Sequence, residues 1–159
     1  MTMRRNIWPI CAAAALALGP LTAQAIPITY DFSVTATAGP LAGTTATGFF
    51  TFDDAIIPPG GGTVEAANLL TDLAFTWNGI AYDETTANTG LFTFAATGDP
   101  LEVAFGTTCV PGLCALVGAT NDWMVGRGAF AYTLPGVFAF YDGTVSFTRR
   151  PVEVPEPEH

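Results

Sequence analysis

Carboxylates are the main chemical resource of this chain. Asp53-Asp54, Asp83-Glu84, Asp99, Asp122 and Asp142 sit where strands are expected to end or turn. Two carboxylates facing each other across a cleft could hydrolyse a glycosidic bond. The same side chains could ligate calcium, although no calcium-loop spacing appears among them. The simpler reading is that Asp favours turns and caps for its own hydrogen bonding. Other catalytic groups are scarce. The single histidine is His159, the last residue, and a frayed terminus cannot position a general base. Ser33 and Ser146 are the only serines, and both lie in alternating segments. A Ser-His-acid triad and a histidine zinc site are therefore excluded as expectations.

Aromatic residues offer a second chemistry, stacking on sugar rings. Trp77 continues the series Leu73 and Phe75 and is assigned to the core. Trp123 follows Asn121-Asp122 in a turn and is expected to be more open. Trp123, Asp122 and Arg127 together form the candidate glycan contact. Cys109 and Cys114 flank Val110-Pro111-Gly112-Leu113, and Pro-Gly is a turn signal. The turn brings the thiols together, so a structural disulfide is expected in an oxidising compartment. Four intervening residues do not match a redox pair, and no second Cys or His pair completes a zinc site.

These groups need elements to hold them. Ile28, Tyr30, Phe32, Val34 and Ala36 alternate with Thr29, Asp31, Ser33, Thr35 and Thr37, the pattern of a half-buried strand. A second strand runs from about 44 to 53 with Phe50 and Phe52 inward, and Gly48-Phe49 suggests a bulge. Residues 55–62, with two prolines and three glycines, read as an irregular loop, and 63–70 as a short helical turn. Asn78-Gly79 between alternating runs predicts a tight hairpin. Further strands are expected at 92–97, 101–105, 114–118, 122–126 and 129–134. The last pair, 137–141 and 144–149, is either a hairpin turning at Asp142-Gly143 or one long strand with a bulge. This spacing predicts an all-β, antiparallel β-sandwich, jelly-roll-like in broad shape, over residues 26–149.

The ends of the chain carry targeting information. Arg4-Arg5, the apolar run Ile10–Leu18, the breaker Gly19-Pro20 and the small-residue site Ala23-Gln24-Ala25 read as a signal peptide over 1–25. Removing 25 of the 159 residues leaves 134, enough for a real core. It also removes two of five arginines, leaving three bases against 14 acids. There is no lysine. Such a surface disfavours nucleic acid and anionic lipid. Residues 150–159 read as an extended acidic, proline-rich tail.

Within that tail, Val154, Pro155, Glu156 and Pro157 resemble the start of the PEP-CTERM sorting signal of exported bacterial proteins. The resemblance implies export by bacteria that make exopolysaccharide, and processing by an exosortase. In that group a transmembrane helix and an arginine cluster follow the motif. Here Glu158 and His159 end the sequence, so release without a stable membrane span in the mature chain is expected. The resulting expectation is an exported, non-enzymatic structural or interaction protein of the cell surface, extracellular matrix or periplasm. Its expected partners are exopolysaccharide or other surface proteins. No cofactor is expected. The alternative is a carbohydrate- or calcium-binding β-sandwich module.

Overall fold

A computed structural model describes residues 23–126, 128–153 and 157–158. The described chain is all-β. Its strands are β1 (Pro27–Ala36), β2 (Thr45–Asp53), β3 (Gly62–Val64), β4 (Asp72–Trp77), β5 (Ile80–Asp83), β6 (Asn88–Phe94), β7 (Pro100–Gly106), β8 (Cys109–Val110), β9 (Leu113–Cys114), β10 (Trp123–Gly126), β11 (Ala129–Leu134) and β12 (Val137–Arg149). Asp54–Ile56 adds a single 3-10 turn.

Ten strands form one antiparallel sheet in the order β3-β6-β7-β10-β11-β12-β1-β2-β4-β5, and β8 and β9 form a separate ribbon. Most neighbours are close in sequence, and β12 lies against β1. The sandwich shape is thus made by one curled sheet with mainly meander connections. Aromatic contacts show which parts of the sheet face each other. Phe32 of β1 meets Phe105 of β7 at 5.4 Å, and Phe52 of β2 meets Phe92 of β6 at 4.9 Å. Phe75 of β4 meets Trp123 of β10 at 4.7 Å, and Trp77 of β4 meets Phe130 of β11 at 4.8 Å. None of these strand pairs are neighbours in the sheet, so the rings bridge its two halves across the interior.

Alternation explains how the rings arrive there. Phe32, Val34 and Ala36 are buried on one side of β1, and Phe50 and Phe52 on the same side of β2. Leu73, Phe75 and Trp77 are buried on β4, as the alternation predicts. Asn78 (φ 48°) and Gly79 (φ 77°) make the β4–β5 hairpin, because both tolerate the left-handed backbone of a tight turn.

Several expectations fail locally. Residues 63–70 are not helical; Val64 pairs with Phe92 in the β3–β6 ladder. The strand expected over 114–118 ends at Cys114. Gly48 makes no bulge and stays in register opposite Phe32. Its missing side chain has another cause: a Cβ there would sit 2.5 Å from the Ala74 carbonyl oxygen and 2.9 Å from the Phe32 ring. Of the two readings of 137–149 the single long strand holds, with no turn and no bulge at Asp142-Gly143. β12 runs through it, pairing with β11 through its first half and with β1 through its second. A Cβ on Gly143 would lie 2.5 Å from the Thr35 carbonyl oxygen and 2.8 Å from the Phe130 ring.

The signal segment falls largely on residues 1–22, and Val154, Pro155 and Glu156 of the sorting motif also lie outside the described residues. Ala23, Gln24, Ala25 and Pro157 are exposed without regular structure. No described helix is long and apolar enough to cross a membrane.

Close packing at the two glycines yields a direct check. Gly48→Ala and Gly143→Ala should each lower stability by about 1–3 kcal/mol in urea unfolding, because the added methyl meets backbone that cannot move aside. Thr47→Ala, one residue away on the exposed face, should change it by no more than about 0.5 kcal/mol.

Candidate functional site

The first candidate was the glycan contact at Trp123, Asp122 and Arg127. Trp123 does not fit it, since its side chain is fully buried. The turn ends at Asp122; Trp123 opens β10, and its alternation with Val125 directs both inward. Its ring packs perpendicular to Phe75, Tyr82 and Phe105. Among the described residues its indole N–H has no hydrogen-bond partner, and neither has that of Trp77. Unpaired buried donors of this kind cost about 1–3 kcal/mol, which the burial of two large rings must offset. Asp122 is half-buried and occupied: its carboxylate accepts from Thr107 Oγ1 at 3.1 Å and from the Thr120 hydroxyl. It organises the loop entering β10. Arg127 lies outside the described residues.

The other carboxylates mostly serve turns. Asp83 Oδ1 accepts from the backbone N–H and hydroxyl of both Thr85 and Thr86. Those bonds, the Thr85 hydroxyl first, hold its carboxyl below the usual range. Asp54 accepts from the Ile26 N–H at 2.8 Å, and Asp99 accepts from Thr97 and lies 3.6 Å from Arg149. Among the described residues, no group of three His, Cys, Asp or Glu side chains could hold a metal ion.

Cys109 and Cys114 face each other across the β8–β9 ribbon, with their sulfurs at bonding distance. Gly112 takes the left-handed conformation at the tip and donates to the Gly90 carbonyl at 2.9 Å. The bond therefore staples a small flap onto β6.

A different set of residues converges on the outer face of the sheet. There β12, β1 and β2 lie side by side, and their outward positions carry hydroxyls. Thr29 and Thr51 bond to each other at 2.8 Å, and Thr35 and Thr45 at 3.2 Å. Between those pairs lies an open depression of about 530 Å³. Ser33, Thr47, Ser146 and Thr148 line it, and their hydroxyls make no hydrogen bond among the described residues. Asp31, Phe49 and Arg150 complete it. The Arg150 guanidinium grips both oxygens of Asp31, with Nε at 3.0 Å from each and Nη2 at 2.6 Å from Oδ1. It also lies 4.6 Å from the Phe49 ring centroid. This fork-on-carboxylate geometry is specific to arginine. The hydrogen bond from Arg150 holds the Asp31 carboxyl below its ordinary range.

Farther along the same strand stand Phe138 and Phe140, 87% and 63% exposed. Sequence reasoning singled out neither these residues nor the Asp31–Arg150 pair. A signal for the phenylalanines was present. Val137-Phe138-Ala139-Phe140-Tyr141 is apolar at both parities, so a half-wet strand must expose one set.

Comparison with protein-family models, with curated proteins and with solved structures gave no match.

Two measurements follow from this geometry. Trp123→Ala should destabilise the fold by about 3–5 kcal/mol in denaturant unfolding, with Trp123→Phe much milder, as befits a core ring. Asp31 should titrate by NMR below about 3.9, the ordinary aspartate value, and return to it in Arg150→Ala. A depressed folded-state value means that the contact stabilises above the ordinary carboxylate range. That stabilisation is lost as pH falls through the lowered value.

Proposed function

We propose that this protein is an exported, non-enzymatic interaction protein of the cell surface, extracellular matrix or periplasm. The observation that carries the reading is the open hydroxyl face around Asp31 and Arg150. Free serine and threonine hydroxyls, a paired carboxylate and an aromatic ring are groups that hold a polar partner without transforming it. The rest of the molecule suits that role. The curled sheet encloses a core of interlocked rings, and the outer face is presented on long, mutually paired strands. A disulfide staple fits an oxidising compartment. The resemblance of Val154-Pro155-Glu156-Pro157 to a sorting signal and the leader-like residues 1–25 support the same compartment.

The carbohydrate-binding alternative is favoured by one specific feature, the unpaired hydroxyls of Ser33, Thr47, Ser146 and Thr148. They offer donors and acceptors to a polyhydroxylated partner without competing internal bonds.

Export is tested by expressing the full chain in a Gram-negative host and fractionating the cells. The expected outcome is a periplasmic or released protein whose mature N-terminus is Ile26 by mass spectrometry, with no free thiol at Cys109 or Cys114. Full-length protein with reduced cysteines in the cytoplasm would overturn the reading. Cys114→Ser should cost about 2 kcal/mol in unfolding experiments, the loop-closure value for so short a loop.

A further inference from the structure

β12 is unusual in this sheet because its solvent side changes character along its length. Every second residue from Phe138 is exposed: Phe138, Phe140, Asp142, Thr144, Ser146 and Thr148. The first two are aromatic, and the last two line the depression beside Arg150. Neither phenylalanine ring contacts another ring among the described residues. The surroundings leave them standing clear. Outward positions on the adjacent β11 are Ala129 and Ala131, opposite Thr144 and Asp142, and Gly118 lies against Phe138. Small side chains thus flank the middle of the strip at Asp142 and Thr144. At about 3.3 Å per residue the 13-residue strand extends for roughly 40 Å.

Exposed large aromatics grouped on one face mark a contact surface more often than single exposed apolar residues do. The composition of this face selects the partner. Fourteen acids against five bases give the chain a formal charge of −9, which repels polyanions. The two described arginines at the end of the strand are both engaged, Arg150 by Asp31 and Arg149 by Asp99. A second copy of the chain fits less well, since it would bring two like-charged surfaces together over a strip of hydroxyls and Asp142. An uncharged polymer with both apolar C–H faces and hydroxyl edges matches the whole strip. Its C–H faces suit the electron-rich faces of the rings, and its edges suit Thr and Ser.

We propose that the outer face of β12 is a binding track for a linear, uncharged polysaccharide. Phe138 and Phe140 stack on its sugar rings, and Thr144, Ser146 and Thr148 hydrogen-bond its hydroxyls. This rests on the interaction-protein reading above and specifies its partner.

The test is affinity electrophoresis of the purified protein in gels containing hydroxyethylcellulose, galactomannan or alginate. At least one of the two neutral polymers should retard the protein, and anionic alginate should not. The F138A/F140A double variant should weaken retardation by about tenfold or more. F138L/F140L should weaken it comparably, because leucine keeps apolar surface without a π face. Both variants should keep the wild-type melting temperature, since the side chains are exposed. The proposal falls if neither neutral polymer retards the protein, if alginate does so preferentially, or if the double variant binds as well as wild type. It also falls if leucine restores binding. Sedimentation showing a dimer that the double variant dissolves would reassign the face to self-association. Such results leave the export reading standing, whereas cytoplasmic retention of the chain would overturn that reading and leave the binding result intact.

Discussion

The structure depends on aromatic rings meeting across the inside of a single bent sheet. Phe32, Phe50, Phe75 and Trp77 project from β1, β2 and β4; Phe92, Phe105, Trp123 and Phe130 project toward them from β6, β7, β10 and β11. Each such pair contributes about 0.5–1.5 kcal/mol beyond its buried area, and most of the geometries are tilted or perpendicular, as ring quadrupoles favour. Because the contacts join strands that are far apart in the sheet, they are what makes it curl and close on itself. The separate threads then follow. The β4–β5 edge is stitched to the loop before β10 by Tyr82 and Asn78, both bonded to Asn121. The Tyr132 hydroxyl donates to the Ala38 carbonyl and accepts from the Leu41 N–H, tying β11 to the β1–β2 connection.

A core so crowded leaves constraints on the strands around it. Gly48 and Gly143 are both compelled by neighbours rather than by turns, since the Phe32 and Phe130 rings and nearby carbonyls occupy the space a side chain would need. Their absence of side chains lets β2 and β12 lie against β4 and β1 without distortion. The consequence on the outside is a long, regular hydroxyl-bearing face. The interior and the outer surface are therefore coupled: the same alternation that fills one side with phenylalanine leaves the other side to threonine and serine.

Chemistry on that face comes from residues that are far apart in the chain. Asp31 and Arg150 are separated by 119 positions, and only the pairing of β12 with β1 brings them together. Exposed ion pairs contribute little to stability, so the pair is better understood as shaping the depression than as holding the fold. Arg150 belongs by composition to the acidic tail, yet its N–H bonds to Thr29 and its side chain to Asp31, which anchors the start of the tail to the body.

Period-2 alternation in β1, β2 and β4 named the inward residues, because a strand buries one face whatever its partners. Asn78-Gly79 and the Cys109–Cys114 turn were equally legible, since both are local chemistry. Other features were decided only by tertiary structure. Asp142-Gly143 has the composition of a tight turn, but β11 and β1 on either side stretch it into one continuous strand. Trp123 follows turn residues and still goes fully inside, because the opposite half of the sheet supplies Phe75 to receive it. Asp31, Ser146, Arg150, Phe138 and Phe140 are likewise ordinary residues until strand order places them on one surface. The alternation of residue types alone set which side of β1, β2 and β4 would be dry, since that is a property of backbone geometry. Which wet residues would stand together was settled by the pairing of β12 between β11 and β1, a long-range choice that no local pattern encodes.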